Sequence, residues 1–440
     1  MWKRILFILP LVSVAAHAQV AADQLGQLVA GELDSLTTLY EHLHRNPELS
    51  FYEEKTAERL ISELRKLDFD VTPQVGGHGF VAVLKNGDGP TVMIRTDLDG
   101  LPVVERTGRS YASDTRTKDD QGADVGVMHA CAHDIHMTSF VGTARMLAQL
   151  KSDWSGTLVM IGQPAEERGA GARAMLQDGL FTRFPRPDYV LGLHTDAGLE
   201  TGTIGYGYGF VFANVDSVDV TIRGVSGHGA APHLTKDPIV IASQVVLALQ
   251  TIVSREVRPT DSAVVTVGSI HGGTKHNIIS DEVKLQITVR SYSDETRKMV
   301  LDSIRRITAN IARAAGVPAD REPTVKIVEE EYTPSTYNDP ALVDRLLPVW
   351  KRIFGSDRVV ELDPAMVGED FSRYGREDPR VPIFMFRLGT IDPARMQESQ
   401  RPGGKSLPSL HSAFFWPVPR PTIATGVKSM TAAVLELMSE

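Results

Sequence analysis

Three short apolar runs in this chain each stop at acids or a histidine, and that pattern limits the fold more than anything else in the sequence. The runs are TVMIRTDLD (91–99), TLVMIGQPAEE (157–167) and YVLGLHTD (189–196). Their apolar parts show no polar alternation, so both faces are buried, as in a parallel sheet. Helical patterns lie between and before them, at 31–46, 53–67 and 137–150; in the second, Ala57, Leu60, Ile61, Leu64 and Leu67 recur at helical spacing. Short buried strands alternating with helices predict an α/β domain with a largely parallel sheet. Ligands of such sheets gather beyond the carboxyl ends of the strands. There the three runs deliver Asp97 and Asp99, Glu166 and Glu167, and His194 and Asp196. The apolar runs on either side of Asn86-Gly87-Asp88-Gly89 read as a pair joined by a hairpin-type turn.

The pattern changes near 212. NVDSVDVTIRG alternates apolar and polar residues, as a half-exposed strand does. A helix at 237–254, two strand-like runs (SAVVTVGSIHGG and DEVKLQITVRSY) and a helix at 294–315 follow, and GVPADREPT (316–324) is a Pro-containing linker. This compact unit predicts a smaller, inserted α+β domain of ferredoxin-like order. From about 338 the α/β pattern returns, with a helix at 340–354, the strand-like VPIFMFRLG and a closing helix at 420–438. The expected organisation is a catalytic domain in two parts, 19–211 and 325–440, around an inserted domain, 212–324.

The first 18 residues read as a cleaved leader: Lys3 and Arg4, an apolar run from Ile5 to Val14, and the small-x-small site Ala16-His17-Ala18. The run is too short to span a bilayer, and no later stretch reads as a membrane segment. The expectation is an exported protein, periplasmic or secreted, with no membrane contact after cleavage. Loss of Lys3 and Arg4 takes the formal net charge from −9 to −9 − 2 = −11. An acidic surface argues against nucleic acid as partner. Exported proteins commonly use disulfides, yet Cys131 is the only cysteine, so it is a buried apolar residue, a ligand or a nucleophile.

Its surroundings favour a ligand. GVMHACAHDIH (126–136) places His133 two residues beyond Cys131, and a turn or extended segment puts such a pair on one side. The candidate donors are Asp97, Cys131, His133, Glu166, Glu167, His194 and His411. Thiolate, imidazole and carboxylate together suit zinc or a similar divalent ion such as manganese or cobalt. Glu166 and Glu167 point to opposite sides if extended, so one can coordinate while the other takes a proton from water, the division of labour in metal-assisted hydrolysis. Taken singly these features are weak: a Glu-Glu pair is usually a solvated surface, and a lone histidine is more often structural than a ligand. A nucleophilic cysteine needs a dedicated base, and the motif offers none.

RTDLDGLPVVE, GVMHACAHD, GQPAEE, GAGA, GHGAAPH, GGTKHNIISDEV, ITVRSY, GEDFS and LHSAFF, in this order along residues 35–438, resemble the motifs of a di-metal amidohydrolase branch. That branch contains hippurate hydrolases and hydrolases of indole-acetyl amino acids, within the wider aminoacylase and carboxypeptidase G superfamily. The resemblance implies two divalent ions held by Cys131, His133, Glu167, His194 and His411, with Cys131 bridging. It implies Glu166 as general base and acid, and Asp97 behind the ligands, orienting a ligand imidazole. It makes the inserted domain a lid and dimerisation domain, with His228 stabilising the oxyanion and Asn277 and Arg290 binding substrate. Arg290 suits a carboxylate, which a guanidinium grips bidentately. Arg95 stands where peptidase members carry a metal-binding histidine. Three departures adjoin the expected ligands: Ala132 for glycine, Arg168 after Glu167, and Thr195-Asp196-Ala197 after His194. The expected activity is hydrolysis of the amide of an N-acyl or aryl-acyl amino acid by a homodimer; a dipeptidase or carboxypeptidase is the alternative, and a non-catalytic metal-dependent binding protein the remote one. His129, His136, His233, His271 and His276 carry no assigned role.

Overall fold

The computed structural model describes the backbone of residues 11–439 and the side chains of residues 24–439. Residues 1–10, which include Lys3 and Arg4 of the expected leader, lie outside the described residues.

An eight-stranded sheet organises the larger part. In spatial order its strands are Asp70–Pro73, Phe80–Asn86, Gly156–Gln163, Thr91–Asp97, Tyr189–Glu200, Ile383–Ile391, Ile204–Tyr206 and Val359–Glu361. The central four run parallel. Both faces are covered, which explains their unbroken apolar sequence. Val92, Ile94, Leu158, Met160, Phe384 and Phe386 pack on the side of helices Leu11–Arg45, His133–Gln149 and Pro419–Met438. Met93, Val159, Ile161, Ile383 and Met385 pack with Met175, Phe181, Phe371 and Tyr374 on the other.

The hairpin expected around 86–89 does not form. Phe80–Asn86 and Thr91–Asp97 both pair with Gly156–Gln163, which lies between them. A strand buried on both faces gains most from neighbours on both edges, and Gly87 (φ 78) and Gly89 (φ 152) let the connection step over one strand.

The inserted unit is a four-stranded antiparallel sheet in the order Ala263–Gly272, Glu282–Ser291, Asn214–Arg223, Thr324–Ile327. Helices Pro238–Thr251 and Asp294–Ala314 pack on it through a separate apolar core. Residues buried and half-buried alternate along Asn214–Arg223, matching its sequence alternation. The last strand, Thr324–Ile327, spans the point where the chain was expected to return to the larger domain. Against expectation, one later stretch, Pro238–Glu256, is long and apolar enough to cross a membrane by length and composition. Its apolar content has two sides: Ile241, Ala242, Val245 and Leu249 are buried on the inserted sheet, and Val240 and Leu247 are exposed.

Candidate active site

The strand ends converge. Thr91–Asp97, Gly156–Gln163 and Tyr189–Glu200 bring Asp97, the turn after Gln163 and His194 to one edge of the sheet. Helix His133–Gln149 starts there, and Ala132 before it is left-handed (φ 59), which swings Cys131 and His133 toward each other. His411, also left-handed (φ 66), is tied in by its N–H to the Ala130 carbonyl (2.9 Å). The result is two donor groups sharing one atom: Cys131 with His133 and His194, and Cys131 with Glu167 and His411.

Cys131 Sγ lies 3.5 Å from His194 Nε2. His133 Nε2 lies 3.8 Å from oxygens of both Glu166 and Glu167, and His411 Nε2 3.6 Å from Glu167 Oε2. The outer nitrogens are committed. His133 Nδ1 donates to the Asp99 carbonyl (2.8 Å) and His194 Nδ1 to the Thr195 carbonyl (2.7 Å). A proton fixed on Nδ1 leaves a lone pair on Nε2, the form in which imidazole ligates metal. His133 Nε2 and Glu167 Oε1 are buried with no hydrogen-bond partner among the described residues. Orphaned acceptors beside a thiol fit two bound divalent ions. Without that positive charge, burial pushes the Cys131 thiol and the Glu166 acid well above their usual ranges, and Glu167 up to about 8.

Glu166 and Glu167 are not extended. Ala165 (φ 49) and Gly169 (φ 59) fold the segment into a tight turn, so both carboxylates reach the His133 side. Gly171 closes the turn where a Cβ would lie 1.5 Å from the Pro164 carbonyl oxygen.

Asp97 takes a different place from the expected one. Its Oδ1 accepts from His136 Nδ1 (2.8 Å) and its Oδ2 from Arg95 Nη1 (2.7 Å), so it holds no ligand's outer nitrogen. The helix starts at His133, one turn before His136, and this puts both rings on one face; backbone carbonyls then orient the ligand rings. Thr195 N–H donates to His136 Nε2 (2.9 Å), and Thr195 Oγ1 donates to the Cys131 carbonyl (2.8 Å). His136 thus stands buried behind the donors, between Asp97 and Thr195, and its spacing of three from His133 was the available signal. Arg95 is buried among Asp97, Glu369 and Asp370 and fixes their charge rather than coordinating. Asp99, also unassigned from sequence, accepts from Glu166 N, Glu167 N and Ser50 Oγ.

A cavity of about 1280 Å³ opens over this centre. Arg290 lines it, half-buried, with Nη1 donating to the Met366 carbonyl (3.0 Å). His228 and Asn277 do not line it. They sit at the two-stranded tip of the inserted domain, His228 in the strand Gly227–His228 and Asn277 just before Ile278–Ile279, exposed to solvent. Asp196, one of the departures beside His194, lines the cavity and pairs with Arg387 (3.2 Å), while Arg168 pairs with Asp120 at the mouth.

Comparisons with known proteins agree with this geometry. Residues 93–400 match the family described as peptidase family M20/M25/M40. The chain is 37% identical over 332 residues to the hippurate hydrolase of Campylobacter jejuni, covering 75% of this chain and 82% of that one. It is 35% identical over 356 residues to thermostable carboxypeptidase 2 of Saccharolobus solfataricus, covering 80% and 86%. Its fold matches that of the Bacillus subtilis YXEP protein, a dinuclear metal binding peptidase from the M20 family, with a TM-score of 0.75 and 27% identity over 93% of this chain and 99% of that one.

Proposed function

The chain belongs to peptidase family M20/M25/M40, and from that premise we propose that it hydrolyses the amide bond of N-acyl or aryl-acyl amino acids, releasing a carboxylic acid and an amino acid. The observation that carries this is the pair of donor groups sharing Cys131, with Glu166 beside them. Cys131, His133, His194, Glu167 and His411 would hold two divalent ions, of zinc, manganese or cobalt type. Bound there, such ions polarise a carbonyl and acidify water.

The remaining work falls to side chains of the chain. The Glu166 carboxylate makes no hydrogen bond among the described residues and adjoins the donors, so it is placed to take a proton from the attacking water and pass it to the leaving nitrogen. Arg290 pairs with no carboxylate among the described residues and faces the cavity, which suits the carboxylate of an amino acid. The relatives' names supply both substrate readings, hippurate hydrolase and carboxypeptidase, and a free carboxylate next to the scissile amide serves either.

His228 and Asn277 lie away from the cavity of their own chain, so in this reading they act after lid closure or in the cavity of a second copy. A homodimer through the lid is supported by its unpaired edge strand, Ala263–Gly272, and by exposed Val240 and Leu247. Export is supported by the leader-like composition of residues 1–18.

The test is a panel of hippurate, long-chain N-acyl amino acids, indole-acetyl amino acids and dipeptides, with chelator and then with added Zn²⁺, Mn²⁺ or Co²⁺. Metal-dependent release of an amino acid, falling about 10²–10⁴-fold in Glu166→Gln with metal content unchanged, is the expected result. Stoichiometric metal without turnover on any substrate would refute it.

A further inference from the structure

The turn carrying Glu166 and Glu167 is held from beneath by carboxylates that the reaction does not use. Three successive backbone N–H groups point at them. Ala165 N donates to Glu53 Oε1 (2.7 Å), Glu166 N to Asp99 Oδ1 (3.2 Å) and Glu167 N to Asp99 Oδ2 (3.0 Å). Asp99 has a second task, since its carbonyl also fixes His133.

Glu53 has no such explanation. It stands at the N-cap of helix Glu54–Arg65 but makes no capping bond with its side chain. It is completely buried and, among the described residues, pairs with no cation and leaves Oε2 without a partner. An apolar residue there would avoid the cost of burying an unsatisfied polar group. What Glu53 does is reach back through one oxygen to two left-handed residues: Ala165 (φ 49), and Phe51 (φ 68), whose N–H donates to the same Oε1 (2.9 Å). Phe51 lines the catalytic cavity. One carboxyl oxygen therefore ties the cavity wall to the turn that aims the general base and a metal ligand.

We propose that Glu53 is a positioning residue for Glu166 and Glu167, acting through the Ala165 N–H. The inference rests on the amidohydrolase reading for its kinetic readout and on the donor geometry alone for its spectroscopic one. Without that bond, Ala165 has no partner for its buried N–H, and the turn keeps only the Asp99 contacts to Glu166 and Glu167 and the bonds to its own carbonyls, so the two carboxylates shift from their common aim.

Three variants test this in the full-length protein. Glu53→Met removes the acceptor at similar length, and Glu53→Asp keeps the carboxyl group but falls one methylene short. Glu53→Gln keeps the acceptor oxygen in place. On the best substrate of the panel, Met and Asp should lower kcat about 10²-fold, the scale of a 1 Å misplacement, with KM within about 3-fold and metal content unchanged. Gln should restore most of that loss. In parallel, Co²⁺ loading should show a shifted ligand-field band in Met and Asp and an unshifted one in Gln, because Glu167 moves only in the first two. Full kcat in Met and Asp, a Gln variant as impaired as Met, or a loss that follows metal release or failure to fold would each overturn the proposal. If the unaltered protein turns over nothing in the panel, the functional reading fails, and the Co²⁺ bands decide the positioning role alone: unshifted bands in Met and Asp refute it.

Discussion

Ala132 shows how much one backbone angle decides. Cys131 and His133 converge because the residue between them is left-handed, a conformation that costs a residue with a Cβ about 1–2 kcal/mol. Its methyl is buried in the main core, which returns about 0.8 kcal/mol. Ala132→Gly is therefore expected to stabilise the fold by about 0.5–1 kcal/mol without changing metal content, measured by denaturant unfolding of the metal-loaded protein. Cys131 gives a second expectation. Burial, reinforced by Glu167, holds its thiol protonated, so binding ions there must displace a proton. Metal affinity should weaken steadily as pH falls, and Cys131→Ala should lose both ions rather than one, because Cys131 belongs to both donor groups; elemental analysis after dialysis reads the difference. The ligand types were legible in the sequence. The roles of His136, Asp99 and Glu53 were not, because each depends on a hydrogen bond between segments distant in the chain.

At the scale of elements, helix Leu11–Arg45 is locked to the start of helix His133–Gln149 by His44. Its Nδ1 lies 2.5 Å from Asp134 Oδ2 and its Nε2 3.2 Å from Glu105 Oε1, with all three side chains buried. Burial opposes the imidazolium, but Asp134 and Glu105 outweigh it and raise His44 to about 9 from 6.5. A folded pKa above the unfolded one stabilises fully below the unfolded value and is lost as pH rises through the folded one. Stability should therefore decline between about pH 6.5 and 9, by on the order of 3 kcal/mol. His44→Gln should flatten that part of the profile, as read by thermal unfolding across the same pH range. The helices were legible from periodicity and the central strands from their unbroken apolar runs. The misplaced hairpin shows the limit: local turn chemistry allowed it, and only the competing strand Gly156–Gln163 excluded it.

For the whole molecule, the lid is where sequence and assembly meet. Leu247 is 73% exposed on a helix whose other side, Ile241, Ala242, Val245 and Leu249, packs against the inserted sheet, and such a surface beside a strand edge favours the proposed partner copy. If the proposed homodimer forms through this surface, Leu247→Glu is expected to shift it to monomer in sedimentation velocity, with little loss of fold stability because most of the side chain is exposed within its own chain. If a second copy supplies His228, kcat should fall with the dimer fraction and recover at high protein concentration.

The sequence by itself determined the parallel α/β core, the inserted unit and the residue types of the candidate metal donors. Unbroken apolar runs, alternation and residue chemistry are all properties of short stretches, and local physics acts on them directly. Only the tertiary structure decided that the donors form two groups around one sulfur, that Asp97 serves His136, and that His228 and Asn277 stand away from their own cavity. Those outcomes depend on which strand lies beside which and on where a left-handed residue turns the chain. Neither is fixed until the whole sheet has assembled.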